Sequence, residues 1–131
     1  MKRLVICFAS IAYSVAAFAD VSGEFVKNNA GVEIKQQGDS ISFSINSSVG
    51  DNVCNLNDDD KPLVAQMIDA NRAVWSSNDR SNKCTVLFNF TSGHLKLTTK
   101  DCDSYCGMNA IGSMDGTYKL KKTKEKVIHL Q

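Results

Sequence analysis

The chain has 131 residues, a length that suits one domain, and its 43% hydrophobic and 22% charged residues lie near the averages for folded soluble proteins. These proportions exclude an intrinsically disordered chain, which has fewer apolar residues and a larger net charge. Fifteen Lys and Arg against 14 Asp and Glu leave a net charge of +1, so no global excess of charge attracts nucleic acid or an anionic membrane.

The amino terminus has the pattern of a secretory signal peptide. Lys2 and Arg3 precede an apolar run from Leu4 to Phe18, and the small residues Ala17 and Ala19 occupy the A-x-A positions. The run is shorter than the roughly 20 apolar residues that a membrane-spanning helix needs, which argues against a transmembrane anchor. We therefore expect cleavage after Ala19 and export of a soluble domain, residues 20–131.

Cleavage changes the cysteine count and the charge. Cys7 leaves with the signal peptide, and the very short apolar stretch before it argues against a lipid anchor. Removing 19 of 131 residues leaves 112, and removing Lys2 and Arg3 leaves 13 basic against 14 acidic residues, a net charge of −1. An even number of cysteines in an exported chain predicts two disulfides. The four cysteines of the mature chain are Cys54, Cys84, Cys102 and Cys106.

Apolar and polar residues alternate with a period of two near the start of the mature chain, which is typical of half-buried β-strands. Strands are predicted around Phe25 and over 32–35, separated by turn residues at 28–31. A third strand follows the turn at 37–39. Its two faces are Ile41, Phe43 and Ile45 against Ser40, Ser42 and Ser44. The three strands predict a meander.

The segment 62–75 has two interpretations. The acidic run 58–60 followed by Pro62 is a good helix start, and three apolar residues fit one helical face: Leu63, Met67 and Val74. Against a helix, the residues 69–71 have turn chemistry and separate two short apolar runs, which predicts a β-hairpin. Periodicity alone does not decide between a helix and strands in runs this short, and the strand-like surroundings favour the hairpin.

Another hairpin is predicted farther along the chain. Residues 84–90 alternate, the turn 91–93 contains glycine, and Leu95 and Leu97 continue the pattern on the returning strand. A last strand contains Tyr118, and residues 119–126 hold five lysines that we expect to form a solvated edge or tail. Many short strands separated by turns predict an all-β fold, a small antiparallel β-barrel or β-sandwich stapled by two disulfides.

The disulfide pairing follows in part from the second hairpin. Four cysteines allow three pairings. If the chain turns at 91–93, Cys84 lies opposite residues near Lys100 and therefore close to Cys102, which leaves Cys106 for Cys54. We predict this pairing, while the swapped pairing and a local Cys102–Cys106 bridge stay open at this point.

No motif in the chain indicates a particular chemistry. Three residues separate Cys102 from Cys106, whereas redox motifs have two, so a structural bridge is the better interpretation. An EF-type calcium loop that started at Asp101 would need a bidentate glutamate at its twelfth position, where this chain has Gly112, so the segment does not predict a calcium site. Ser92 and His94 are close in sequence, but no nucleophile elbow surrounds them. We predict that the protein is not an enzyme and that it holds no metal and no cofactor.

Part of the chain resembles a family. Cys84-x-Val-x-Phe-x-Phe, Cys102, Cys106-Gly107-x-x-Ala110 and Asp115-Gly116-x-Tyr118 together are similar to segments of small periplasmic proteins of Gram-negative bacteria that look like periplasmic lysozyme inhibitors. The resemblance covers about the last 50 residues of the domain. Known inhibitor families have a Ser-Gly-x-x-Tyr loop. Two segments of this chain begin with Ser-Gly, but both depart from that loop at the tyrosine position. Lys96 stands there after Ser92-Gly93, and Val26 stands there after Ser22-Gly23.

The resemblance implies a periplasmic protein that blocks a peptidoglycan hydrolase, either as a lysozyme inhibitor or as an immunity protein against a secreted cell-wall-degrading effector. Such an inhibitor needs a rigid loop whose donors satisfy the carboxylates of the hydrolase, because preorganisation lowers the cost of binding. The candidate partner-binding residues are Ser92, Gly93, His94, Ser104 and Tyr105. The alternative is a non-catalytic structural or adhesive envelope protein that binds through a sheet edge or the lysine-rich end. Neither hypothesis involves nucleic acid.

Overall fold

A computed structural model describes residues 20–57 and 60–121. The predicted signal peptide, residues 58 and 59, and most of the lysine-rich end, residues 122–131, lie outside the described residues.

Nine β-strands and two short 3-10 turns make up the described chain. The strands are β1 (Gly23–Lys27), β2 (Ala30–Gln37), β3 (Ser40–Val49), β4 (Asn52–Leu56), β5 (Leu63–Met67), β6 (Arg72–Ser76), β7 (Thr85–Thr91), β8 (His94–Lys100) and β9 (Gly116–Leu120). The 3-10 turns are Asp103–Tyr105 and Met108–Ala110.

Eight of the strands close into an antiparallel β-barrel. Neighbours follow the chain order β1-β2-β3-β5-β6-β7-β8-β9, and β9 returns to β1 through the pairing of Phe25 with Leu120. The ninth strand, β4, pairs with the second half of β3, whereas β5 pairs with its first half. The predicted all-β fold is confirmed, and of its two architectures the chain adopts the barrel.

The segment 62–75 forms a hairpin, β5 and β6, as the turn chemistry indicated. The Asp69 carboxylate accepts hydrogen bonds from the Asn71 N–H (2.9 Å) and from Arg72 Nε (2.8 Å). The hydrogen bond from Arg72, followed by the one from the Asn71 backbone, lowers the pKa of Asp69. These hydrogen bonds close the turn between β5 and β6.

The interior of the barrel is filled by apolar side chains. On β3, Ile41, Phe43 and Ile45 are buried, whereas the alternating serines lie on the partly exposed outer face. Phe43 and Phe88 pack edge to face with their ring centroids 4.9 Å apart. The largest fully buried side chains are Tyr118, Phe88, Ile41, Ile45, Leu56, Leu95, Leu97, Met114, Val32, Val86 and Cys54.

Connections between the strands gather at the two ends of the barrel. We call one the disulfide end, with connections 28–29, 50–51, 77–84 and 101–115. We call the other the turn end, with residues 20–22 and connections 38–39, 68–71 and 92–93. The disulfides Cys54–Cys106 and Cys84–Cys102 confirm the predicted pairing. They fix the segment between Cys102 and Cys106 to β4 on one side and to the start of β7 on the other.

Residues of the motif Asp115-Gly116-x-Tyr118 have structural roles at the disulfide end. The Asp115 carboxylate accepts hydrogen bonds from the Thr99 N–H and hydroxyl, both at 2.7 Å. The Tyr118 hydroxyl donates to the Met114 carbonyl at 2.6 Å. Lys27 Nζ lies 5.5 Å from the centroid of the Tyr118 ring. These contacts attach the end of the 101–115 connection to the barrel.

Because Tyr118 is buried, the stability of the folded protein is expected to depend on pH in the alkaline range. Burial, with a smaller contribution from the Asp115 carboxylate, raises the pKa of Tyr118 well above its ordinary value. Below the unfolded-state pKa, Tyr118 is neutral in both states and its contribution to stability is complete. As the pH rises above about 10, the unfolded chain loses this proton first, so we expect stability to fall.

An ultraviolet titration of the mature Tyr105→Phe variant measures this effect, because Tyr118 is then its only tyrosine. We expect no tyrosinate absorbance until the protein unfolds. A reversible titration near the ordinary tyrosine pKa with the fold intact would contradict the burial of this hydroxyl.

Candidate functional site

The turn between β7 and β8 forms an exposed tip at the turn end. Thr91 pairs with His94, so only Ser92 and Gly93 lie in the turn. Gly93 has a φ of 73°, in the left-handed region that favours glycine. The Leu120 N–H donates to the Gly93 carbonyl at 2.9 Å, which fixes the tip to β9. The tip is therefore both exposed and attached to a neighbouring strand.

The polar groups of the tip point toward solvent. Ser92, Gly93 and His94 are all exposed. His94 Nδ1 lies 3.1 Å from the Ser92 carbonyl oxygen. Because a carbonyl oxygen only accepts, Nδ1 donates and Nε2 is the ring nitrogen that remains for a partner. The Ser92 hydroxyl and the His94 imidazole are thus both exposed at the tip.

A cavity of about 250 Å³ lies beside this tip. The aromatic rings of Phe25 and Phe90, with centroids 5.8 Å apart, are among its apolar lining, and Ser92 and Asn71 are among its polar lining. The Phe90 N–H donates to the Asn71 carbonyl at 2.7 Å, so the connection 68–71 is fixed to the same wall. A partner that covers the tip can therefore also contact this cavity.

The first described residues border the cavity as well. Val21 N–H donates to the Gln36 side-chain oxygen, and Gln36 N–H donates to the Ser22 hydroxyl, both at 2.8 Å. Asp20, which the predicted cleavage leaves as the first residue, accepts a hydrogen bond from the Ser22 N–H at 2.9 Å. Hydrogen bonds from Ser22 lower the pKa of Asp20. The Asp20 carboxylate therefore lies at the rim, and the predicted cleavage places the new α-ammonium group on the same residue.

The other two predicted site residues lie at the opposite end of the barrel. Strand β8 separates the tip from the disulfide end, and its six residue steps of about 3.3 Å span roughly 20 Å. Ser104 is exposed, but Tyr105 packs against the core, and its hydroxyl lies 3.5 Å from the Ser77 hydroxyl. The two predicted groups therefore lie at opposite ends of the barrel, and Tyr105 is partly buried against the core.

A structured loop at the disulfide end was not among the predicted sites. Within the connection 77–84, the Asp79 carboxylate accepts hydrogen bonds from the Ser81 N–H (2.9 Å), the Ser81 hydroxyl (2.7 Å) and the Asn82 amide (3.1 Å). The bonds from Ser81 are the largest cause of the lowered pKa of Asp79. The density of Ser, Asn and Asp in this segment was the available sequence signal.

The described residues contain no group of three or more His, Cys, Asp or Glu side chains that could hold a metal ion.

Among residues 20–57 and 60–121, no helix has the length and apolar character that crossing a membrane requires.

Comparison with known proteins gives no relative: no family model, no curated protein and no solved structure matches this chain.

Proposed function

We propose that this protein acts in the periplasm, where it binds and inhibits a peptidoglycan hydrolase. The tip at Ser92–His94 is the segment that enters the cleft of the enzyme. The observation that carries the proposal is the tip itself, where the Ser92 hydroxyl and the His94 imidazole are both exposed on a turn that is hydrogen-bonded to β9. The target is a lysozyme or a secreted cell-wall-degrading effector, and in the second case the protein acts as its immunity partner.

The chemistry of the tip suits the chemistry of the target. Most glycoside hydrolases have two carboxyl groups that flank the scissile bond. The Ser92 hydroxyl can donate a hydrogen bond to such a carboxylate, and the His94 ring can donate from Nε2 in its imidazolium form, in which both ring nitrogens carry a proton. Hydrogen bonds to charged acceptors are stronger than bonds between neutral groups. The turn loses little conformational freedom on binding, because the Gly93 carbonyl and the His94 ring are already hydrogen-bonded.

The binding surface lies outside the barrel. Apolar side chains such as Phe88 and Tyr118 fill the interior of the described barrel. A partner must therefore be recognised by the exposed ends and faces, and the turn end presents donors next to a cavity. This arrangement supports recognition of a protein surface.

The alternative of an adhesive protein that binds through a sheet edge has less support. Closure of the barrel pairs β1 with β9 and β2 with β3, and closed barrels have no free edges. The outer edge of β4 is covered in part, since the Gly107 N–H donates to the Val53 carbonyl at 2.8 Å.

The proposal is tested with the mature chain, residues 20–131, in its oxidised form. Lysozymes of several types and secreted cell-wall hydrolases are mixed with it, and the rate of wall lysis and the formation of a complex on size-exclusion chromatography are measured. We expect one class of hydrolase to be slowed and to co-elute with the protein. Unchanged lysis with every hydrolase would rule out the proposed function.

Substitution of the tip gives a sharper test against the hydrolase that is inhibited. A hydrogen bond to a charged group contributes about 1.5–3 kcal/mol, so we expect Ser92→Ala with His94→Ala to weaken inhibition at least about tenfold. Ser104→Ala is the matched control, because Ser104 is equally exposed at the other end of the barrel. If the control weakened inhibition as much as the tip variant, the tip would not be the contact.

A further inference from the structure

The outer face of β7, β8 and β9 carries three exposed lysines, all of them on β8 and β9. Inward positions on β8 are Leu95 and Leu97, so the alternate positions point outward, and all four are exposed. On β9 the outward positions are the two that flank buried Tyr118, and both are exposed. The outward side chains of β8 and β9 are His94, Lys96, Thr98, Lys100, Thr117 and Lys119.

The register of the sheet brings these cations together. His94 lies directly opposite Lys119, and Lys96 lies directly opposite Thr117. Lys96 and Lys119 are therefore diagonal neighbours, which places their Cβ atoms roughly 7–8 Å apart, within reach of long side chains. Like charges at this distance repel each other in the free protein, and a bound layer of anions relieves the repulsion.

No Asp or Glu stands at an outward position of this face. The outward positions of β7 are Thr85, Leu87, Asn89 and Thr91, and those of β8 and β9 contain no Asp or Glu. Acids lie at its borders: Glu24 on β1 is 3.8 Å from Lys121, Asp115 accepts hydrogen bonds from Thr99, and exposed Asp101 follows Lys100. The mature chain has a net charge of only −1, so the positive face is a local asymmetry and not a consequence of composition.

We propose that the outer face of β7–β9 is a docking surface for a bilayer leaflet that carries anionic phospholipid headgroups. Positive side chains at such a surface are complementary to the negative potential of the leaflet. The face is the side of three adjacent strands, so its charges spread over an area and do not converge on one point. It uses lysines, which act as point charges, rather than arginines, whose planar forks recognise single phosphates or carboxylates bidentately.

The same residues argue against nucleic acid as the occupant. Binding of single strands requires aromatic side chains on which bases stack, and the outward positions of β7, β8 and β9 have none. Threonine and asparagine stand between the lysines instead, and these can hydrogen-bond to headgroup oxygens. Docking of this kind is peripheral and reversible, so it is compatible with the absence of a stable anchor that we expect from the sequence.

The experiment measures the partition of the full mature chain onto two kinds of vesicle, phosphatidylcholine alone and phosphatidylcholine mixed equally with phosphatidylglycerol. We expect binding to the anionic vesicles only, and we expect it to weaken as salt is added. The face variant combines Lys96→Gln, Lys100→Gln and Lys119→Gln. At roughly fivefold per lysine near an anionic surface, it should bind about a hundredfold more weakly.

A matched control removes the same charge elsewhere, by Lys35→Gln, Lys61→Gln and Arg80→Gln, three exposed positions outside the face. We expect this control to bind within about threefold of the wild type, since charges far from the contact are screened. His94 is left unchanged, because it belongs to the proposed hydrolase contact. Circular dichroism and intact disulfides verify that both variants are folded.

Three results would overturn the proposal. The first is equal partition of the wild type onto the two kinds of vesicle. The second is equal weakening in the face variant and its control, which would indicate attraction by total charge. The third is displacement from the vesicles by low concentrations of soluble polyphosphate, which would assign the face to a soluble polyanion. Inhibition of a hydrolase does not enter these measurements, so they stand or fall independently of the proposed function.

Discussion

Removing the Cys54–Cys106 disulfide, by changing both cysteines to alanine, is expected to lower the free energy of unfolding by about 4 kcal/mol. The two cysteines are 52 residues apart, and a bridge that closes a long loop removes much conformational entropy from the unfolded chain. In the folded state the bridge also joins β4 to the segment that follows Cys106. Urea denaturation of the mature wild type and of the variant measures the difference.

The second disulfide provides the comparison. Cys84 and Cys102 are only 18 residues apart, so the same argument gives a loss of about 3 kcal/mol when both are changed to alanine. We therefore expect the Cys54–Cys106 variant to be the less stable of the two. The opposite order, or no loss in either variant, would show that the bridges do not stabilise the domain through the unfolded chain.

Phe88→Ala is expected to cost about 3–5 kcal/mol, because the substitution leaves a cavity at the centre of the barrel. Phe88 is fully buried on β7. Its ring packs edge to face on Phe43 at 4.9 Å and lies nearly parallel to that of Phe90 at 6.3 Å. Alanine removes one ring contact from each neighbour, so that Phe43 keeps its contact with Trp75 and Phe90 its contact with Phe25. Urea denaturation with unchanged disulfides isolates this loss of packing.

Leu87→Ala is the matched control for this prediction. Leu87 is the neighbouring residue on the same strand, but its side chain points outward and is 36% exposed. We expect a loss below about 1 kcal/mol, because little apolar surface returns to water. If the two variants lost equal stability, the assignment of inward and outward faces on β7 would be wrong.

The sequence was informative wherever the structure depends on neighbours along the chain. Alternation on β3, the turn at 92–93 and the capped turn at Asp69 are local, so the corresponding strands and hairpins could be predicted. Strand β4 was missed because it is short and directs only Cys54 and Leu56 inward. The choice between barrel and sandwich could not be made either. It depends on the pairing of β1 with β9, which period-two alternation does not encode.

The site was predictable to a smaller extent for the same reason. The exposure of Ser92 and His94 follows from the hairpin, which is local. The separation of Ser104 and Tyr105 from that tip follows from the direction of β8, and the partial burial of Tyr105 follows from its packing against the core. The cationic face also escaped the sequence analysis, because Lys96 and Lys119 become neighbours only when β8 pairs with β9.

In the proposed function, an oxidised, filled barrel recognises a hydrolase through the tip at the turn end. Amide hydrogen exchange of the mature protein, alone and with the hydrolase it inhibits, locates this contact along the chain. We expect new protection at residues 91–94 and in the neighbouring segments 20–22 and 68–71, with unchanged exchange in the connection 101–115. Protection confined to the disulfide end, or none in the presence of any hydrolase, would show that the tip is not the contact.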